Sequence, residues 1–148
     1  MRCFPKPSAS FCGYYSGSRI KVFTLKSEPP DRQEFDGLVH SARARLNDAR
    51  NAALSIESRF DLAYNASHAL ALAALRWNSY RANSRFIVFQ CLQHTLGLGP
   101  NVWRTLPHCR NLRNRGEDEG FLDLSEQLVS DQIEAARYVL EKVEELPR

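Results

Sequence analysis

The sequence predicts an all-α protein that folds as an up-down bundle of about five helices. Short signals of the capping-box type each precede a stripe of apolar residues at helical spacing. One long segment in the middle of the chain is apolar on nearly every face, which is typical of a helix with other helices around it. No stretch forms a convincing sheet, and the connections between the stripes are short.

Residues 1–30 are predicted to be an extended or disordered segment ahead of the folded domain. They contain four of the seven prolines with scattered glycine and serine, and such residues interrupt regular structure. A short strand over 19–25 (RIKVFTL) is the one regular element predicted there. The bundle itself is predicted over 31–148.

The first two helices are predicted from their N-terminal caps. Asp31 and Glu34 form a capping box after two prolines. Ser58 and Asp61 are interpreted as a second box, which opens the most apolar segment of the chain over 57–81. Because that segment is apolar on nearly every face, we expect it to be the central helix. The predicted buried stripe of the first helix comprises Phe35, Leu38, Val39, Ala42, Leu46 and Ala49.

The second half of the chain is predicted to be helical with two interruptions. Residues 84–100 are ambiguous by period, and we interpret them as a helix that Gly97 ends. Pro107 is expected to divide the next stretch into a short helix over 101–105 and another that starts near Leu106. The last helix is predicted from a box at Asp123 and Glu126 and a stripe of Leu128, Val129, Ile133, Ala136, Val139, Leu140 and Val143.

Charge is distributed unevenly along the chain, although its net value is only +3. Residues 51–115 carry eight arginines, no lysine and two acids, whereas residues 116–148 carry three bases and ten acids. Arginine favours bidentate contacts with phosphate or carboxylate, so the basic segment is a candidate anion-binding region. The alternative is that the acidic last helix packs beside this segment and neutralises it.

Cysteine spacing and hydropathy indicate in which cellular compartment the protein is expected. Four cysteines at irregular spacing give no disulfide framework, which favours a reducing cytoplasm with Cys91 and Cys109 as small core residues. The alternative is a zinc site that adds His94 and His108, although the adjacent ligands 108 and 109 suit tetrahedral geometry poorly. The longest purely apolar run has seven residues (69–75), too few to cross a bilayer, and no secretory signal is predicted.

A polar ridge interrupts the apolar central helix. Asp61, Tyr64, Asn65 and His68 stand at positions i, i+3, i+4 and i+7, so they share one helical face. Each residue alone has a structural explanation, such as capping by Asp61 or a hydrogen bond from His68 to a neighbouring helix. As a set, the four residues could also face a partner helix or form the floor of a cleft that binds phosphate or RNA.

The stretch CRNLRNRGEDEG (109–120) supplies a second candidate. If 106–116 is helical, Arg110, Arg113 and Asn114 share a face, and their side chains suit phosphate and base edges. The glycine at 116 and the acids after it are expected to end that helix. The alternative is a solvated surface pair between Arg113 and Glu117.

Three stretches together resemble the prokaryotic HEPN domains, over roughly residues 31–146. They are RFDLAYNASHALALAALRW, VFQCLQHTLGLG and CRNLRNRGEDEG. The resemblance implies a small helical bundle, often encoded beside a toxin–antitoxin or nucleotidyltransferase partner. It also implies a homodimer that brings together two motifs of the form Arg-x4-6-His. In that motif the arginine holds phosphate and the histidine serves as general acid or base.

The motif is incomplete in this chain. The family's arginine corresponds best to Arg113, followed by Asn114, but the position after four intervening residues is Asp118. Relatives with a similar stretch are expected to carry tyrosine at that position. An exposed aspartate, with an ordinary pKa of about 3.9, is a poor proton donor near neutral pH. We therefore place Arg113, Asp118 and His68 as the candidate catalytic group, with His68 or His108 as a substitute for the missing histidine.

Two functions follow from these observations. The first is an RNA- or nucleotide-associated protein, and if it is an enzyme, a metal-independent endoribonuclease that uses no cofactor. Its phosphate- or RNA-binding residues would be Arg110, Asn114, Asp61, Asn65 and Tyr64. The second is a non-catalytic homodimer that binds a toxin, antitoxin or nucleotidyltransferase. A third, weaker option is that the acids at 117–119 bind a divalent ion.

Overall fold

The computed structural model describes residues 25–119 and 124–147. Within these ranges the chain is mostly helical, so the predicted all-α class is confirmed. Of the predicted lead-in, residues 1–24 lie outside the described residues, and of the predicted strand over 19–25 only Leu25 is described. The elements are β1 (Leu25–Ser27), α1 (Arg32–Ala49), α2 (Ile56–Trp77), β2 (Tyr80–Ala82), α3 (Arg85–Gln90), α4 (Leu92–Thr95), α5 (Pro100–Glu119) and α6 (Glu126–Glu144).

Hydrogen bonds at the helix ends fix the directions of α1, α2 and α6. At the start of α2, Arg59 Nε donates to the carbonyl oxygen of Ala49, the last residue of α1, at 3.0 Å. Near the end of α2, Arg76 Nε donates to Glu34 in the first turn of α1, also at 3.0 Å. The two helices are therefore antiparallel. Arg59 Nη1 also lies 2.9 Å from Glu126 Oε2 at the start of α6, so α6 runs parallel to α2.

The direction of α5 completes the up-down order. Arg113, near the C-terminal end of α5, bonds to Asp61 near the start of α2, which makes these helices antiparallel. Because α6 runs parallel to α2 and α5 runs antiparallel to it, α5 and α6 are antiparallel to each other, and a groove lies between them. Successive long helices thus alternate in direction, as predicted for an up-down bundle.

Helix α2 lies at the centre of the bundle, as the sequence predicts. Its side chains are buried on most faces, because α1, α3, α5 and α6 all contact it. Six of the buried positions are alanines, and small side chains let neighbouring helices approach closely. The larger side chains fill the remaining space, and full burial of a residue such as Leu70 stabilises the fold by about 2 kcal/mol. Its fully buried larger residues include Phe60, Leu70 and Leu75.

The caps agree with the sequence at one helix and differ at two. Asp31 accepts a hydrogen bond from the Glu34 backbone N–H at 3.1 Å, so the first predicted cap is confirmed. The second box was wrong, because the capping residue is Ser55, three residues before Ser58; it accepts from the Ser58 N–H, and α2 begins at Ile56. For α6 the capping side chain is Ser125; Asp123 lies outside the described residues.

Helix α5 contradicts the prediction that Pro107 divides this stretch. One continuous helix runs from Pro100 to Glu119, through Pro107 and past Gly116. A proline inside a helix removes one hydrogen bond and costs about 3 kcal/mol. The fully buried Leu106 and Cys109 offset that cost, because an intact helix carries both into the core.

The stretch before α5 is helical but shorter than predicted. It forms α3 and α4, with Ser84 capping α3 through a bond to the Phe86 N–H at 3.2 Å. Gly97 follows α4 with a positive φ of 63°, which glycine adopts without strain. The predicted stop at Gly97 is therefore confirmed.

A two-stranded antiparallel sheet, which was not predicted, joins the N-terminal end of the described chain to the end of α2. The register pairs Leu25 with Ala82 and Ser27 with Tyr80. The strands have three residues each, too few to give a periodic signal in the sequence. Ser79, with φ 66°, turns the chain from α2 into β2.

Arg76 is the largest fully buried side chain, and it anchors this sheet to the bundle. Its side chain is 2% exposed, with Nη1 3.1 Å from Glu28 Oε2 and Nη2 donating to the Pro29 carbonyl at 2.7 Å. Arg81 contacts the same two carboxylates, Glu28 at 2.5 Å and Glu34 at 2.9 Å. Burial acts to raise the pKa of Glu34, but hydrogen bonds from Arg76 and Arg81 hold it below its ordinary value.

Candidate functional site

The four residues of the predicted ridge lie along one face of α2. Tyr64 is 1% exposed, whereas Asp61 is exposed and Asn65 and His68 are half-buried. The ridge is therefore a surface strip above a buried tyrosine ring. We call the set Asp61, Tyr64, Asn65 and His68 the α2 strip.

Arg113 of α5 lies directly against the α2 strip. Its Nε donates to Asp61 Oδ1 at 2.8 Å, and its guanidinium carbon is 5.2 Å from the centroid of the Tyr64 ring. The first contact is a charge-assisted hydrogen bond and the second is a cation–π contact. The Arg113 side chain is 24% exposed, so part of it is accessible to solvent. The Glu117 side chain, its alternative surface partner, lies outside those that the structure describes.

The cap at Ser55 leaves the Asp61 carboxylate to Arg113. The sequence assigned Asp61 to a capping box, but the orphan N–H groups of α2 begin one turn earlier. Asn65 donates from Nδ2 to the Asp61 carbonyl oxygen at 2.9 Å, a bond within the helix. Asp61 thus orients Arg113, and Asn65 has a local structural role.

His68 lies in an environment that keeps its ring neutral. Its ring is 5.8 Å from that of Phe89 in an edge-on arrangement, and Phe89 stands in the same relation to Tyr64. Burial, followed by the positive charge of Arg85, lowers the pKa of His68 to about 4. At neutral pH the imidazole therefore has one donor and one acceptor nitrogen, and it is a weak proton donor.

The remaining candidates are placed as follows. Asn114 is half-buried on α5. Arg110 and Asp118 also lie on α5, but the structure does not describe their side chains. His108 faces the groove between α5 and α6, with Leu128 and Asp131, rather than the α2 strip. Arg113 thus contacts Asp61 and Tyr64 directly, and the Phe89 ring links Tyr64 to His68. His108 lies apart from this group.

The two described cysteines have the character of core thiols. Cys109 is buried and Cys91 is half-buried. Burial raises the pKa of Cys91 to about 11, and burial with the nearby Asp131 raises that of Cys109 to about 12. Both are therefore protonated at neutral pH, when the thiolate is the form that binds metal. Among the described side chains, no three His, Cys, Asp or Glu residues are grouped so as to hold a metal ion.

A second concave surface lies at the other end of α2. Phe35 and Trp77 pack with ring centroids 6.4 Å apart and form one wall of a cavity of about 210 Å³. Pro30 and Pro147 add to this largely apolar lining, and Asp36 is at its margin. This cavity is distant from Arg113, because Trp77 ends α2 and Asp61 lies in its second turn.

Two functional features could not be found from the sequence. Phe89 and Arg85, which border His68, lie on α3 and reach the strip only through the tertiary fold. Arg76 carried a weaker signal, as the lone charge at the end of an apolar segment.

Comparison with known proteins adds no family assignment. No family model matches this chain, and none of the curated proteins matches it either. Of the helices that the structure describes, none combines the length and the apolar character that crossing a membrane requires.

Proposed function

We propose that this protein is an RNA- or nucleotide-associated helical bundle of the HEPN type, in which Arg113 binds phosphate. One observation carries the proposal: the Arg113 guanidinium is held on the Tyr64 ring and bonded through Nε to Asp61. A bond at Nε fixes the plane of the guanidinium and therefore the direction of its Nη donors. Such an oriented fork suits the oxygens of a phosphate.

The charge of the surrounding chain supports an anionic ligand. Residues 51–115 carry eight arginines and two acids. Three of these arginines, Arg59, Arg76 and Arg81, pair with Glu126, Glu28 and Glu34, whereas Arg113 lies beside the α2 strip and is oriented by Asp61. Lysine is absent from this segment, so its positive charge is carried by side chains that form planar, directional contacts. Homodimerisation, a toxin–antitoxin or nucleotidyltransferase partner and a cytoplasmic location belong to the same proposal, through the resemblance.

Binding is favoured over robust cleavage. Metal-independent RNA cleavage needs a group that exchanges protons near neutral pH. His68 is the histidine on the strip, and its pKa of about 4 leaves it almost wholly neutral at pH 7. We therefore expect RNA binding that depends on Arg113 and little or no endoribonuclease activity.

The test compares Arg113→Ala with Arg137→Ala in a fluorescence anisotropy assay on labelled single-stranded RNA. Arg137 is a matched control, since it also removes one arginine, from an exposed position on α6. Loss of a charge-assisted contact is worth about 1.5–3 kcal/mol. Arg113→Ala should therefore weaken binding by roughly tenfold or more, whereas Arg137→Ala should leave it nearly unchanged. Equal losses in the two variants would contradict a specific role for Arg113.

The low pKa of His68 also favours a second proposal, a non-catalytic homodimer that binds a partner protein. Such a protein needs a stable interface but no proton-transfer group. Light scattering and a pull-down with the product of a neighbouring gene test it. A monomer that recovers no partner, together with Arg113-dependent RNA cleavage, would exclude this second proposal.

A further inference from the structure

A second arginine borders the α2 strip on the side of His68. Arg85 is exposed at the first position of α3, and Phe89 follows it by one helical turn. The Phe89 ring is fully buried against His68 and Tyr64. Because residues i and i+4 lie on the same helical face, α3 places Arg85 above the edge of the strip where His68 lies.

The electrostatics agree with this placement. The charge of Arg85 is the second cause, after burial, that lowers the pKa of His68. Among the side chains that the structure describes, no carboxylate forms a salt bridge with Arg85. The strip therefore has one arginine at Asp61 and Tyr64 and a second, at the solvent-exposed start of α3, near His68.

The two strip residues that these arginines adjoin, Tyr64 and His68, are about one helical turn apart along α2. Arg113 covers Tyr64 and Arg85 borders His68, and four residues of α-helix rise about 6 Å. Two successive phosphates of a flexible single strand can therefore contact one guanidinium group each.

The aromatic rings of the strip are not available to stack on bases. Tyr64 and Phe89 are both almost completely buried, and Arg113 covers the Tyr64 ring. In single-strand binding proteins whose bases stack on aromatic side chains, those rings are exposed. Contacts to phosphate fix the position of a strand and carry no direct sequence information.

We propose that Arg85 and Arg113 together bind two phosphates of one single-stranded nucleic acid, without preference for its sequence. This inference rests on the proposed function of Arg113 and adds both a second contact residue and the ligand class. Arg85 is a binding residue in this arrangement, and His68 fills the space between the two phosphate positions as a neutral group.

The experiment measures the affinity of the full chain for labelled oligo-U and oligo-A of equal length, across a series of salt concentrations. The variants are Arg85→Gln, Arg113→Gln and the matched control Arg137→Gln. Each of the first two should weaken binding roughly tenfold, and the control should have little effect. Removal of one phosphate contact to a single strand reduces the slope of log affinity against log salt by about 0.7. The two oligomers should bind with similar affinity.

The outcomes separate the two proposals. If Arg85→Gln retains wild-type affinity and salt slope while Arg113→Gln binds weakly, the inference about Arg85 fails and the proposed function stands. If the folded wild-type protein binds neither oligomer, the proposed function fails and this inference with it. A strong preference for one oligomer overturns sequence-independent binding. Because Arg85 is exposed, an unchanged melting temperature should confirm that Arg85→Gln folds.

Discussion

Two side chains at the α2 strip, Arg113 and His68, differ in charge because their surroundings differ. Arg113 is partly exposed, with the Asp61 carboxylate hydrogen-bonded to its Nε. His68 lies one turn beyond Tyr64, against the buried Phe89 ring and near Arg85, and both effects favour its neutral form. The strip thus combines a permanent, oriented positive charge with a histidine that does not compete for protons. This combination is suited to holding an anion.

The neutral state of His68 predicts a pH dependence of stability. Its pKa is about 4 in the folded protein and 6.5 ordinarily, so between these values the unfolded chain binds a proton that the folded chain does not. The free energy of unfolding should therefore fall as the pH drops from about 6.5 to about 4, and His68 contributes its full effect above 6.5. Each pKa unit corresponds to about 1.4 kcal/mol, and partial exposure reduces the total to about 2 kcal/mol.

Urea denaturation at several pH values checks this prediction with His68→Gln. The variant should lose less stability than the wild type between pH 6.5 and 4, because it lacks the titrating group. His40→Gln, at an exposed position on α1, is the matched control and should behave as the wild type does. Parallel loss of stability in wild type and His68→Gln would show that other groups cause the dependence.

At the residue scale, the sequence could predict which groups share a face but not what lies against them. The spacing of Asp61, Tyr64 and His68 follows from helix geometry alone, and the structure has that face. Phe89 and Arg85 are separated from the strip by a turn and a strand, so their contact depends on the tertiary fold. The role of Asp61 was misassigned for a related reason, since two serines compete for the same cap and only the backbone position of Ser55 decides between them.

At the scale of an element, α5 illustrates where local rules fail. The proline rule favours a break at Pro107, and the sequence around it gives no opposing signal. The opposing term is the burial of Leu106 and Cys109, which becomes visible only when α2, α3 and α6 are in place. By contrast, α1 is specified locally by the Asp31 cap and its apolar stripe, and the prediction for α1 was correct.

If the core holds α5 intact at the expense of a hydrogen bond, Pro107→Ala should stabilise the protein. The alanine restores one backbone donor and a residue with high helix propensity. Loss of the restriction that proline places on the unfolded chain offsets part of the gain, which leaves about 1–2 kcal/mol. Thermal unfolding measures the change. Asn111→Ala, exposed on the same helix, controls for propensity alone and should give a smaller gain.

If Pro107→Ala melts at the wild-type temperature, the expected gain in stability is contradicted. The result would indicate that α5 bends at this position, which relieves the clash and the lost hydrogen bond of the proline. In that case the orientation of the second half of α5, which carries Arg113, would depend on the proline. RNA affinity of the same variant would then reveal whether that orientation matters for binding.

At the scale of the whole molecule, the charged cluster at the end of α2 joins the N-terminal segment to the bundle. Arg76 contacts Glu28, Pro29 and Glu34, which come from the segment after β1 and from α1. A buried arginine is stable only when its donors are satisfied, so these partners are needed to keep Arg76 in place. The sequence predicted a domain that begins at residue 31. It gave no sign that Arg76 contacts the segment before that residue, because charge partners more than forty residues apart leave no periodic pattern.

Arg76→Met tests whether this cluster holds the fold together. Methionine fills a similar volume but carries no charge, so in the variant Glu28 and Glu34 keep only Arg81 of their two arginine partners. Breaking a buried charge pair costs about 3–5 kcal/mol, and urea denaturation should show a loss near the lower value because Arg81 remains. Arg81→Met, at a more exposed site, should cost less.

Because the pKa of Glu34 is lowered, the stability advantage of the wild type over Arg76→Met should be full near neutral pH and should shrink as Glu34 is protonated in acid. Wild-type stability in Arg76→Met would mean that the sheet and the packing of α1 on α2 hold the N-terminal segment without the buried charge.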